Sequence, residues 1–335
     1  LNQNGVTIAS TDLVQQKWLD NDFYGTTFSL IKSFDKVNFI FGGGLNKYVG
    51  DHFGEVIWAK YGSSAPKQRF YENQGKKTDF NVYAKAEYGF SENWSLFADM
   101  QYRIVNYKIV GIDEGPVNIE VKDDNNFFNP KLGFNYFWNN SNFYLSYAKG
   151  HKEPKRADYE ADNNVKPESL DDFELGWKYG SEKFILNANL YYMNYKDQLV
   201  LTGELDNVGN PIAKNAGKSY RFGLEIESVI KITHHLNWQP NIAISTNKNI
   251  DKYYEFDGVL KDFGNTDLAY SPSFIAGSNL NYSPIKSLNI SFLSKYVGEQ
   301  YMSNIEHPTS KLNSYFVNDL NVSYEIKTEK LFKSI

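Results

Sequence analysis

Between Glu182 and Leu201 the sequence alternates with a period of two, and this constrains the chain more than any other feature. Leu186, Ala188, Leu190 and Tyr192 fall on one side, and Asn187, Asn189, Tyr191 and Met193 on the other. Period two is strand geometry, because successive side chains leave a pleated backbone on opposite faces. Past Tyr192 the apolar side turns polar at Asn194, Lys196 and Gln198, so the apolar stripe ends while the strand pattern runs on. A sandwich strand in water has no need to outgrow its apolar stripe. A strand that crosses a bilayer and then projects into water does.

The same pattern recurs along the chain. Strands are expected over Phe23 to Lys32, Val37 to Leu45, Thr78 to Phe90, Trp94 to Val110, Asn129 to Trp138 and Phe143 to Lys149. They continue over Glu168 to Gly180, Ser219 to Ile232, Leu236 to Thr246, Pro272 to Tyr282, Leu288 to Tyr296 and Tyr315 to Ile326. With the strand after Glu182 that makes about thirteen. Turns of about 3–6 residues alternate with loops of about 15–30, whereas soluble domains usually keep connections short at both ends. The long loops are expected at Asn46 to Lys77, Gly111 to Phe128, Gly150 to Pro167, Gly203 to Gly217, Asn247 to Leu268 and Gly298 to Asn313. One short-turn end and one long-loop end is the asymmetry of an outer-membrane barrel.

Charge segregation agrees with that reading. Lys85, Glu87, Asp99, Arg103, Glu174, Lys178, Arg221, Glu225, Glu227, Asp319 and Glu325 all fall opposite the apolar face. A basic residue on the lipid face at mid-bilayer costs about 2–4 kcal/mol, so a barrel requires this separation. An ordinary half-exposed sheet shows the same alternation, and the loops and aromatic strand ends favour the membrane. Aromatic residues make up 16% of the chain, and no run approaches a spanning helix. The chain has no cysteine, which excludes disulfides and thiolate metal sites; a net charge of −5 with mixed signs gives no footprint for nucleic acid.

Several stretches, in order, resemble the barrel of TonB-dependent outer-membrane receptors of the Bacteroidetes-like type. They are Asn129-Pro130-Lys131-Leu132-Gly133-Phe134-Asn135-Tyr136, Tyr144 to Gly150, His151 to Tyr159, Pro167 to Gly176, Asn189 to Leu199 and Ser219 to Glu227. The resemblance implies an all-β fold, an antiparallel up-and-down transmembrane barrel, with this chain supplying about 13 of 22 strands. It implies short periplasmic turns, long extracellular loops and a multi-pass place in the outer membrane. Such receptors also carry a signal peptide, a TonB-contacting plug domain and a barrel ending on an aromatic residue. The start LNQNGVTIAS has no basic-then-apolar leader, and the end is Leu331-Phe332-Lys333-Ser334-Ile335. Residues 1–335 are therefore expected to be a partial barrel domain without plug or final strands.

No enzyme constellation is present in the sequence, and no cofactor is expected. His234-His235 falls in a short turn, the Asp123 to Asn126 run lacks the ligand spacing of a calcium loop, and Gly42-Gly43-Gly44 precedes no helix. The resemblance implies capture of a small ligand such as a ferric siderophore, followed by TonB-energised passage. The implied partners are the TonB complex through the plug, outer-membrane lipid and lipopolysaccharide, and the ligand, with no nucleic acid. Two basic-aromatic groups suit an anionic chelate: Tyr48, His52, Trp58, Tyr61, Arg69 and Tyr71, and His151, Lys152, Lys155, Arg156 and Tyr159. A passive porin or adhesin-like barrel, and a surface glycan-binding β protein, are the competing functions.

Overall fold

The computed structural model describes residues 2–3, 6–7, 10–61, 67–114, 117–205, 209–256 and 259–326. Gly62 to Pro66 and the terminal Leu331 to Ile335 lie outside the described residues. Thirteen wall strands follow one another in hydrogen-bonding order along the chain. They are β1 (Leu13–Ser33), β2 (Val37–Ala59), β3 (Gln68–Gly89), β4 (Trp94–Asp113), β5 (Val117–Trp138) and β6 (Ser141–Lys152). After a short helix α1 (Arg156–Ala161) come β7 (Glu168–Gly180), β8 (Phe184–Lys196), β9 (Lys218–Lys231) and β10 (Leu236–Asn249). The last three are β11 (Phe274–Ile285), β12 (Leu288–Val297) and β13 (Tyr315–Tyr324). No described helix is long and apolar enough to cross a membrane.

The chain divides into two compact units. One comprises Leu1–Lys32, Phe39–Lys85 and Met100–Asn129; the other comprises Ser33–Asn38, Ala86–Asp99 and Pro130–Ile335. In the second unit the antiparallel register turns the sequence alternation into two continuous faces. Phe134, Leu145, Leu175, Leu190, Leu224, Ile244 and Phe274 are successive cross-strand partners on one face. Their neighbours Gly133, Ser146, Glu174, Tyr191, Gly223 and Ser245 form the matching row on the other. Lys178, Glu225, Glu227 and Arg221 share that polar face, as expected. The apolar face stays exposed, with Leu145 at 55%, Leu175 at 53% and Ile244 at 51%, so nothing among the described residues covers it.

The polar face contains a recurring close approach. Tyr144 of β6 lies opposite Gly176 of β7, and Gly176 lies opposite Asn189 of β8. The Tyr144 ring crosses the glycine and its hydroxyl donates to Asn189 Oδ1 at 3.0 Å. A Cβ on Gly176 would sit 2.0 Å from the ring, so only glycine admits the crossing. One strand pair further on, Tyr191 crosses Gly223 in the same way, and a Cβ there would meet its hydroxyl at 2.5 Å.

Two of the expected loops are strands. The region Asn46 to Lys77 is mostly extended: β2 runs to Ala59 and β3 begins at Gln68. Gly111 to Phe128 is likewise absorbed into β4 and β5, so the Asp123 to Asn126 run sits on a strand and not at a loop tip. These strands have 20–23 residues, about twice the 9–11 that a bilayer needs. The ladder continues because its backbone bonds do not depend on an apolar stripe, and the alternation that marks a strand fades once neither face meets lipid. In the first unit the upper ends build their own core: Tyr71, Val105, Ile109, Ile119, Val121 and Phe127 are buried. The other four long connections hold as irregular segments. Three of them carry small hairpins, Leu199–Leu205 with Pro211–Asn215, Tyr253–Phe256 with Val259–Asp262, and Gln300–Tyr301 with Lys311–Leu312.

Candidate functional site

Five of the six residues of the first basic-aromatic group stand on strands, and Tyr61 lies in the bend just past β2. Tyr48 and His52 belong to β2 and share the parity of Gly42 and Gly44, while Arg69 and Tyr71 open β3. Arg69 is held from three sides: it pairs with Glu72, its Nε lies 4.0 Å from Glu55, and its guanidinium stacks 3.7 Å from the centre of the Phe53 ring. The Tyr48 hydroxyl donates to Asn21 Oδ1. Tyr71 is buried, edge-on to Phe70 at 5.1 Å. Trp58 at 53% and Tyr61 at 38% are the exposed aromatics, with the Lys60 ammonium 5.6 Å from the Tyr61 ring centre. Phe53 and Lys60 therefore belong with this group, although sequence reasoning did not select them.

The second group is an anchored cap. His151 and Lys152 end β6, which runs past Gly150, and Lys152 pairs with Glu168 at 3.8 Å. Lys155 is the N-cap of α1, and its backbone N–H donates to Asp158 Oδ2 at 2.8 Å. The other Asp158 oxygen accepts from the Ala213 N–H at 2.7 Å, which ties the helix to the hairpin 55 residues on. Arg156 pairs with Glu160 at 2.6 Å, and Tyr159 is 2% exposed. The structure thus brings His151 and Lys152 to the strand end, while Arg156 and Tyr159 are engaged in shaping the helix.

More loop residues join this cap. Asn215 Nδ2 donates to the carbonyls of Lys166 and Asp197, and the Lys166 N–H donates back to Asn215 Oδ1 at 2.8 Å. Asn304 Nδ2 reaches the Leu201 carbonyl at 2.9 Å across 103 residues, and Asn304 Oδ1 accepts from Ala269. Lys248 pairs with Asp267 at 2.7 Å and with Glu306 at 3.4 Å. Four segments widely separated in sequence are thereby hydrogen-bonded into one body. Asp158, Asn215 and Asn304 are functional to this cap, and no local signal marks them because their partners are distant. His235, from the turn pair, has Nδ1 2.9 Å from the Ser283 carbonyl. Among the described residues no group of acidic, histidine or cysteine side chains has metal-ligand geometry.

Comparisons with known proteins agree with this architecture. A family model described as TonB dependent receptor-like, beta-barrel, matches residues 2–334. No curated protein matches the sequence. Among solved structures, the siderophore receptor PiuA from Acinetobacter baumannii superposes with a TM-score of 0.69 at 14% identity, covering 94% of this chain and 50% of that one. The ferric yersiniabactin uptake receptor FyuA from Yersinia pestis gives 0.65 at 16% identity, with 92% and 47% covered. The copper transporter OprC gives 0.68 at 12% identity, with 92% and 48% covered. The chain spans about half the length of these proteins, and at such identities the likeness is one of fold.

Proposed function

Because the chain belongs to the TonB-dependent receptor β-barrel family, whose members are outer-membrane proteins, we propose that it is part of a receptor importing a scarce chelate, an iron–siderophore or similar complex. In this reading the apolar face meets lipid and lipopolysaccharide, the polar face lines the barrel, and the cap faces outward. Passage is energised by TonB acting through a plug domain. The observation that carries the reading is the pairing of a two-faced wall with a loop cap that is hydrogen-bonded into one body. A passive pore needs no such built cap.

Ligand contact is assigned to Trp58, Tyr61, His52, Tyr48 and Arg69 in the first unit, and to His151, Lys152 and Lys155 in the second, with Arg156 held by Glu160 to shape the helix beside them. Buried Tyr71 and Tyr159 fix the shape of the strands and helix that present them. Support for an iron chelate comes from neighbours named as siderophore receptors, while the neighbour named as a copper transporter marks an alternative cargo. The test is uptake of radiolabelled ferric siderophores by iron-starved cells carrying the receptor, with and without TonB. Accumulation that requires both supports the proposal. Accumulation independent of TonB points to a passive barrel, and none from any chelate sinks the import reading.

A further inference from the structure

Within the cap is a cavity of about 160 Å³ that opens to solvent, walled by Val200, Leu201 and Lys214 of one hairpin, Ile305 of another segment, and Lys252; Lys214 is already engaged by the protein. Lys252 is fixed by its backbone: its N–H donates to the Gly264 carbonyl at 2.8 Å, and its carbonyl accepts from Phe263 at 2.9 Å. The amides on the wall are already committed. Both Asn215 donor bonds go to carbonyls, Asn304 bridges Leu201 and Ala269, and the Ser303 hydroxyl donates to the Ile305 carbonyl at 2.7 Å. Lys252 differs from them. It is half-buried and has neither an ion pair nor a side-chain hydrogen bond among the described residues. Burial pushes its ammonium below the ordinary lysine value, with no carboxylate to oppose the shift.

A half-buried ammonium without a counter-charge is costly unless something supplies one. Apolar walls beside it select a body that prefers to leave water. A cavity of roughly 150 Å³ holds one benzene-sized group, so the space takes a single ring or a short branched chain. We propose that this cavity is a subsite for a small organic carboxylate with an apolar body, its carboxylate on Lys252 and its body against Val200, Leu201 and Ile305. The carboxylate can come free from solution or as a pendant arm of a larger chelate. The subsite does not depend on the transport reading, since it concerns binding alone.

The probe is benzoate, titrated into the detergent-solubilised receptor and followed by calorimetry and ligand-observed NMR. Wild type is expected to bind benzoate about tenfold or more tightly than benzamide, its neutral isostere. Lys252→Met, which keeps most of the stem, should lose that preference, and Leu201→Trp, which fills the cavity while keeping Lys252, should lose binding of both. Lys286→Met, in the turn between β11 and β12, should behave as wild type. Protection of Lys252 from amine acetylation by benzoate provides a readout on unmutated protein. Equal affinity for benzoate and benzamide, no protection of Lys252, or full binding by Lys252→Met would each overturn the assignment. To separate the sources, a ferric chelate with a free carboxyl arm is set to displace benzoate against the same chelate amidated. Displacement by the first alone assigns a pendant arm, and displacement by neither assigns a free acid.

Discussion

Substituting Gly176 by alanine tests the close approach on the polar face. In the native wall Tyr144 crosses Gly176 to reach Asn189, and a Cβ at Gly176 would lie 2.0–2.5 Å from three atoms of the tyrosine ring and hydroxyl. The ring must swing away, which forfeits the 3.0 Å hydrogen bond, worth about 1 kcal/mol. Forcing extra volume into a packed contact adds about 1–3 kcal/mol. Gly176→Ala should therefore destabilise the receptor by about 2–4 kcal/mol. In a Tyr144→Ala background the obstruction is gone, and the same change should be neutral or stabilising by about 0.5–1 kcal/mol, because alanine loses less backbone entropy than glycine. The control is Gly180→Ala, since a Cβ at Gly180 meets nothing within 4 Å. Urea unfolding of the four variants in lipid vesicles reads the double-mutant cycle, with an expected coupling of about 2–5 kcal/mol. Additive effects of Gly176→Ala and Tyr144→Ala, or equal effects at Gly176 and Gly180, would refute the reasoning.

Three other perturbations follow from the same geometry. Leu190→Arg, on the lipid-facing row, should cost about 2–4 kcal/mol in vesicles, while Asn187→Arg on the opposite face of the same strand should cost far less; equal losses would contradict the assignment of faces. Asp158→Ala leaves the Ala213 and Lys155 N–H groups without their acceptor and should loosen the cap by about 1–3 kcal/mol, read as faster hydrogen exchange at Ala213 with the wall strands unchanged. Lys252 contributes a pH dependence of known sign. Its folded-state value lies below that of the unfolded chain, so the unfolded chain binds more protons between the two values, and the group's contribution to stability rises with pH across that window. The stability of wild type relative to Lys252→Met should therefore increase as pH rises towards 10.5; a flat difference would remove burial as the cause.

What could be read from the sequence depended on whether a nearby contrast in polarity enforced it. Leu190 and Tyr191 are adjacent, and lipid on one side with water on the other sends them to opposite faces, so the alternation fixes the wall strands and places Glu174, Arg221 and Glu225 without a structure. Above the bilayer that contrast vanishes. Residues 46–59 keep their ladder with polar side chains on either face, which is why that part of β2 reads as a loop while Val37 to Leu45 reads as a strand. The site residues divide in the same way. Residue type marked both basic-aromatic groups, but type carries no information about depth: Trp58 and Tyr159 look alike in sequence and stand at 53% and 2% exposure. Depth at Tyr159 comes from α1 being pinned through Asp158 to Ala213, a bond that closes only when two distant loops have folded together.

Glycines in the wall carry a signal intermediate between these cases. A glycine inside a strand usually weakens it, so a pattern reader treats Gly176 and Gly223 as defects. In the register each faces a tyrosine on the preceding strand and a polar acceptor, Asn189 or Ser245, on the following one. The glycine lets an aromatic ring lie flat along the wall and join three strands where a larger residue would hold it upright. Tyr83 over Gly42 is a related contact in the first unit, with the tyrosine on the following strand and a Cβ 2.5 Å from its hydroxyl. The device is thus distributed along the wall, and the tyrosine–glycine pairs, once aligned by register, identify the polar face as surely as the charges do.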